Sequence, residues 1–409
     1  MMDFNRAVEV IVADADTQGG GEPEAVALAN AAGRYLASAI ESPIDVPGFD
    51  NSAMDGFAVR IADVELGKRL PISQRIPAGA IAGDLAAKTV ARIFTGAMIP
   101  PGADAVILQE DALYDNDSTE VEFTELPSVA QHIRPAGQDI AKHQKALQEG
   151  KRLTPADIGL LASLGYAELP CTPNVRVAFF SSGDELVEPG QPLAPGQIYN
   201  SNRFFLSACI RELGATAIDL GRCPDSAEST REMLLEASAC ADLVITTGGM
   251  SVGEEDHIRH QAQAIGDIDF WKLAIKPGKP VAFGKIGDAR FFGLPGNPVS
   301  SFVTFQLLVR PWLLKRLGAA NWDFQRLHAT ATFTRKNSGR RLEFLRANVQ
   351  RDTDSSLSVS LFDNQSSGVL SSVAASNVLL PIQPSSTIQT GDRCELIVLS
   401  PMGLQFIDD

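Results

Sequence analysis

With 409 residues, the chain has room for about two to four domains at roughly 100 to 200 residues each. A hydrophobic share of 44% and a charged share of 21% exclude a disordered or fibrous chain. The formal charge of −15, from 35 Lys+Arg against 50 Asp+Glu, repels a polyphosphate backbone and argues against nonspecific nucleic-acid binding. Met1 to Asp16 carries Asp3, Glu9, Asp14 and Asp16, so it lacks the basic and then apolar layout of a signal peptide. No apolar run approaches the roughly 18 residues of a membrane helix. Cys171, Cys209, Cys223, Cys240 and Cys394 are scattered and never in C-x-x-C spacing, a pattern expected of free thiols in a reducing cytoplasm.

In chain order, Phe4 to Ala15 and Pro23 to Ile40 show helical apolar spacing on Ala-rich faces, broken by Gly19-Gly20-Gly21. Pro43 to Asp139 changes to short β-like runs such as Phe57 to Val59 and Ala105 to Leu108, separated by Pro and Gly. Helical signal returns after Thr154-Pro155-Ala156-Asp157, where Thr154 suits the N-cap, Pro155 the first helical position and Asp157 the return bond of a capping box. The helix Ile158 to Leu164 should rejoin the N-terminal pair. The layout expected is an elongated helical domain (1–45 and 141–173) with an inserted β domain (46–140).

From Val175 to Gly318 strands and helices alternate. Apolar runs at Val175 to Phe180, Thr216 to Leu220, Leu243 to Thr246 and Arg290 to Leu294 are separated by helical stretches Arg203 to Leu213, Ala227 to Cys240, Glu254 to Ile265 and Val299 to Leu317. Strands buried on both faces and joined by helices imply a doubly wound, mostly parallel α/β domain over 174–322. His328 to Phe333, Leu342 to Val349, Leu357 to Leu361, Val378 to Ile382 and Cys394 to Leu399 read as five short strands of a small β-barrel or sandwich over 323–409.

Ligands of an open α/β sheet bind beyond the carboxyl ends of its strands. Three loops there are unusual: Ser181 to Glu185, Thr246 to Asp256 and Leu294 to Ser301. Glycines beside Ser and Thr at a helix start let backbone N–H groups approach a phosphate. Residues 271–285 hold four lysines and no acid, which in so acidic a chain points to an anionic ligand. Glu185, Asp225 and Asp256 all follow strands of this sheet, and carboxylates facing a phosphate site call for a bridging divalent cation such as Mg²⁺. The alternative for Asp225 and Glu254 is an ordinary role at a helix N-terminus. His257 and His260 lack Cys partners and fit an exposed helix face, and neither a G-x-S-x-G elbow nor a Walker A motif is present. Phe302, Phe305 and Trp312, with Leu308 and Leu313, read as helix core.

The runs Phe49 to Val59, Thr95-Gly96-Ala97, Thr247 to Asp256, Lys272 to Pro280 and Leu294 to Pro298 together resemble the signatures of the molybdopterin molybdenumtransferases, the family that includes the E domain of gephyrin. The resemblance runs in order from about Phe4 to the C-terminus. It implies a four-domain, L-shaped homodimer whose α/β domain is molybdopterin adenylyltransferase-like, followed by a C-terminal β-barrel. It also implies transfer of molybdenum from molybdate onto adenylylated molybdopterin with release of AMP, and a contact with the adenylyltransferase. Family positions carry over onto Asp55, Thr95, Asp139, Glu185, Asp225, Asp256, Lys272, Lys276, Pro295 and Pro298. Glu185, Asp225 and Asp256 are then the expected metal set. Gly248, Gly249, Ser251, Gly253, Gly296 and Asn297 join the two prolines around the cofactor precursor. Three positions depart from the family pattern: Thr247 in place of Ser, His257 in place of Tyr, and Ser226 where a second Asp is usual. A gephyrin-type scaffold would be expected to carry a long linker and a fused adenylyltransferase domain. A stand-alone adenylyltransferase would lack both β domains.

Overall fold

A computed structural model of the chain describes residues 1–17, 21–115, 117–250, 257–353 and 355–399. Helix α1 (Phe4–Thr17) buries Phe4, Ala7, Ile11, Val12 and Ala15 along one stripe. That stripe docks on the α/β domain and the C-terminal domain. Phe4 meets the Phe344 ring edge-on at 5.1 Å, and Asp14 accepts a hydrogen bond from Trp312 Nε1 at 3.0 Å while pairing with Arg290 at 2.9 Å.

The helix expected over Pro23 to Ile40 does not form. Glu24–Ala27 is a strand paired antiparallel with Glu168–Cys171, and Leu28–Asn30 is a single 3₁₀ turn. Alanine-rich sequence tolerates either state, and pairing with a partner strand overrides helix propensity here. Ile40–Glu41 likewise pairs with Lys145–Leu147. These strand pairs share a core of Leu36, Leu161 and Leu169 with helix α2 (Pro155–Ser163).

The capping box of α2 is present: Asp157 N–H donates to Thr154 Oγ1 at 3.3 Å, and Thr154 N–H donates to Asp157 Oδ2 at 2.9 Å. Burial alone would raise the Asp157 carboxyl, but the Lys151 ammonium and the two Thr154 donors outweigh it and hold it below its ordinary 3.8. Thr154→Ala is expected to lower stability by about 1 kcal/mol in urea unfolding at neutral pH. A depressed carboxylate stabilises the fold above its unfolded-state value and loses that contribution as pH falls through the folded-state value. The gap between wild type and variant should therefore narrow below about pH 3.8.

The inserted domain is a six-stranded sheet in the order Ala105–Leu108, Gly56–Val59, Val90–Ile93, Arg69–Ile76, Glu120–Phe123, Ala112–Leu113. It has its own apolar clusters, around Phe57 and Phe123 on one side and Ile93 and Val106 on the other. Gly56 pairs so closely with its neighbour that a side chain there would collide with the Ile107 carbonyl.

The α/β domain has four parallel strands in the order Thr216–Cys223, Arg176–Ser182, Leu243–Thr247, Ala289–Leu294. The sheet is extended by two antiparallel strands, Pro280–Ile286 and Asp267–Lys272, so the stretch read as a lysine-rich loop is framed by strands. Helices α3 (Ser201–Glu212), α4 (Ala227–Cys240) and α5 (His257–Ile265) cover it; Glu254, the expected start of α5, lies outside the described residues. The expected helix Val299 to Leu317 is α6 (Pro298–Thr304), a π turn at Phe305–Val309 and α7 (Arg310–Arg316). Pro311 has no N–H to donate back, which favours the widened turn before it. Alternate strand residues feed opposite faces, as when Phe179 joins Phe292 and Trp312 while Phe180 joins Phe291 and Leu234.

The C-terminal strands Arg326–Ala331, Leu342–Arg351, Leu357–Leu361, Val378–Ile382 and Arg393–Val398 close into a barrel, because Leu342–Arg351 pairs with both Leu357–Leu361 and Val378–Ile382. A sixth element, Ile275–Lys276 of the α/β domain, adds to it in parallel, with Lys276 opposite Glu343. Among the described residues no helix is long and apolar enough to cross a membrane, and all five cysteines are free.

Candidate active site

The four parallel strands end level with one another: Ser182 lies opposite Cys223, Ser181 opposite Thr247, and Thr247 opposite Leu294. Their loops therefore emerge along one edge, as the doubly wound topology requires. Gly248 N–H donates to Leu294 O at 3.1 Å, tying the second loop to the third. Gly248 has φ +92° and an added Cβ would lie 2.8 Å from Ser182 O, so this crossing needs a residue without a side chain. Asn202, in the first turn of α3, donates from Nδ2 to Gly296 O at 2.7 Å and so fixes the Pro295-Gly296-Asn297-Pro298 turn. Thr247 keeps the hydroxyl that Ser would offer, buried in the sheet 2.9 Å from Ser181 Oγ.

Glu185 and Asp225 are exposed and follow adjacent strands. Ser226, not Asp225, caps α4, accepting from Ser229 N–H at 3.2 Å. That leaves the Asp225 carboxylate without a capping duty, and since Asp caps as well as Ser, the cap does not by itself explain the Asp-to-Ser departure. Asp256, Ser251 and Gly253 lie outside the described residues. Among the described residues no three His, Cys, Asp or Glu side chains converge as a ready-made metal cage. Mg²⁺ is commonly held by one or two carboxylates plus substrate phosphates, and two open carboxylates at neighbouring strand ends fit that habit. Beside His257 and His260, Arg259 stacks over the Phe270 ring at 4.5 Å, in keeping with an ordinary helix face.

The same edge carries Lys272, at the end of its strand, and the turn Lys276 to Pro280. A cavity of about 820 Å³ opens there, between the α/β domain and the barrel, lined by Lys276, Lys279, Ser300, Arg335, Arg341 and Asp363 among others. Lys276 Nζ pairs with Glu343 Oε1 at 2.9 Å, and Arg335 approaches the other oxygen of this buried carboxylate at 3.7 Å. Arg335 and Arg341 were not singled out from the sequence, and Ser300 entered only as part of the third strand-end loop. The signal was there in Arg335, Lys336, Arg340 and Arg341, a second acid-free basic run over 335–341 in an acidic chain.

In the inserted domain, Asp55 Oδ1 accepts from both Thr95 N–H and Thr95 Oγ1 at 2.8 Å. The backbone N–H, then the hydroxyl, hold the Asp55 carboxyl below its usual range despite slight desolvation, with help from Arg92. Asp139 is exposed on a turn whose N–H donates to Val46 O at 2.9 Å, and Asp50 Oδ1 ties that turn to the Asp55 segment by accepting from Ala136 N–H at 2.8 Å. No described hydrogen bond or ion pair joins Asp55, Thr95 or Asp139 to the strand-end loops of the same chain.

Known proteins match this arrangement along most of its length. Residues 2–165 match the MoeA N-terminal region (domain I and II), 178–315 a probable molybdopterin binding domain, and 328–399 the MoeA C-terminal region (domain IV). The molybdopterin molybdenumtransferase of Haemophilus influenzae is 43% identical over 364 residues, covering 88% of this chain and 90% of its own. That of Bacillus subtilis is 37% identical over 307 residues, covering 72% and 71%. The crystal structure of the molybdopterin biosynthesis moeA protein from Pyrococcus horikoshii superposes with a TM-score of 0.80 at 30% identity, covering 98% of this chain and 99% of that one. With a described edge of glycine-rich strand ends, a basic cavity beside it and relatives of this closeness over nearly the whole length, the chain belongs to the molybdopterin molybdenumtransferase family.

Proposed function

We propose that the chain takes molybdate and adenylylated molybdopterin, releases AMP and leaves molybdenum on the dithiolene of the cofactor. The observation that carries this reading is the basic cavity opening beside the glycine-rich strand ends. Lys276, Lys279, Arg335 and Arg341 bring four positive charges, and Glu343 and Asp363 return two negative ones. The surplus of two matches a tetrahedral dianion such as molybdate, with Ser300 as a neutral donor.

Gly249, Ser251 and Gly253 offer backbone N–H groups to phosphate, Gly248, whose own N–H is bound to Leu294 O, lets the chain cross closely beside them, and Pro295, Gly296, Asn297 and Pro298 form the facing wall. Lys272 stands at the same edge to stabilise charge on the leaving phosphate. Glu343 positions Lys276 so that its ammonium is held at the cavity rather than swinging in solvent. A divalent ion such as Mg²⁺, held by Glu185, Asp225 and Asp256, supplies neutralisation of the phosphoanhydride when bound. The test is release of AMP from adenylylated molybdopterin only when molybdate is present; release at the same rate without it sinks the reading.

Asp55, Thr95 and Asp139 enter this reading from a second protomer, in a cytoplasmic homodimer that receives its substrate from the adenylyltransferase. Asp55→Ala and Asp225→Ala chains, each inactive alone, are expected to recover about a quarter of wild-type activity after random reassociation, because one heterodimer site in two is then free of both lesions. Heterodimers confirmed by mass spectrometry yet inactive would place all these residues in one chain's site.

A further inference from the structure

Among the described residues two arginines are buried, Arg346 and Arg310. Arg346 is satisfied: its guanidinium donates to Ser372 Oγ at 3.1 Å, Ser366 O at 3.3 Å and Phe344 O at 3.4 Å. Arg310 is not. It is 7% exposed, its Nε has no partner, and no described hydrogen bond or ion pair reaches the group. Burial pulls its pKa down, opposed by the fields of Tyr35, Glu212 and Asp323, none of which bonds to it; the Tyr35 hydroxyl donates instead to Leu213 O at 3.2 Å. A guanidinium has five donors and stays charged, and a buried Nε–H without an acceptor, on a group whose other nitrogens find no described protein partner, is costly unless a water or an ion completes it.

Arg310 lines a cavity of about 500 Å³, within the size range of small-molecule sites. The same wall holds Arg152, whose Nε donates to Gly33 O at 3.3 Å and whose two terminal nitrogens have no described partner. Lys151 also lines it but is tied to Asp157 at 2.5 Å, and Glu149 is the one acid in the lining. Leu147 and Leu314 supply apolar surface. No lining residue is shared with the basic cavity proposed for molybdate.

We propose that this cavity is a second anion site, taking a small organic anion whose carboxylate or phosphate head is gripped by Arg310 and Arg152 and whose body rests on Leu147 and Leu314. Paired guanidinium groups suit either head, since both offer two oxygens to one planar fork. The walls come from residues 146–152 on one side and 310–325 on the other, so an occupant ties the α2 unit to α7 and the barrel linker.

The test uses the full chain in an Arg341→Ala background, which weakens anion binding at the other cavity. Inorganic phosphate and succinate, each at about 10 mM, are titrated by calorimetry and added to thermal melts, where binding to the folded state alone raises the melting temperature. One or both should bind, the preferred one identifying the head, and Arg310→Met should remove one anion equivalent from the heat and reduce the shift. Arg310→Lys, which keeps the charge but loses the fork, should weaken binding by about tenfold and serves if the methionine variant does not fold. Absence of binding by both anions, equal binding in Arg310→Met, or unchanged affinity in Arg310→Lys overturns the site.

Discussion

Changing Lys279 to alanine should weaken molybdate binding by roughly tenfold to a hundredfold, the loss of a hydrogen bond to a charged group at about 1.5–3 kcal/mol. Lys279 lines the basic cavity and carries no described ion pair, so its removal leaves no protein charge stranded. Lys276→Ala is a different experiment. It deprives the buried Glu343 of its 2.9 Å partner and leaves Arg335 at 3.7 Å, so lost affinity would be mixed with the cost of an uncompensated carboxylate. Equilibrium binding of molybdate by the Lys279 variant, at low and high ionic strength, checks the prediction. Unchanged affinity at both would remove Lys279 from the oxyanion site.

Trp312→Ala should cost about 3–5 kcal/mol, the range for deleting a large aromatic from a core. Trp312 is 1% exposed, meets Phe292 at 6.3 Å between ring centroids and donates from Nε1 to Asp14. The cavity would open where α1, α7 and the sheet meet, so amide exchange in α1 should accelerate while the inserted domain, with its own clusters, is unaffected. Uniform exchange rates across α1 before and after the substitution would contradict this.

Much of this fold was legible because its strongest physical demands are local. The central strands are buried on both faces and read as unbroken apolar runs, and the α2 capping box is written in four consecutive residues. The strand-end loops were legible for the same reason: topology puts them on one edge whatever the side chains do. The stretch from Pro23 to Ile40 was not, since its many alanines are good helix formers and only Val26 is buried in the strand that forms, too weak a signal to mark it. The wall of the basic cavity was also hidden. Arg335, on a short barrel strand, and Arg341 and Asp363, on barrel loops, lie some sixty residues or more from Lys276 in sequence, and contacts such as the pairing of Ile275–Lys276 with Leu342–Glu343 and the Val299 N–H bond to Ser367 O bring the two halves together.

That same pairing bears on how the protein can be taken apart. A chimera cut near residue 322 would treat the barrel as an interchangeable appendage, but the barrel's sheet includes a strand that the α/β domain lends to it. A transplanted barrel would have to present an edge complementary to Ile275–Lys276 and an acid at the position of Glu343, or the graft would lose its seam and the lysine turn its anchor. The two domains are therefore bound to diverge together: a change on either side of the seam must be answered on the other.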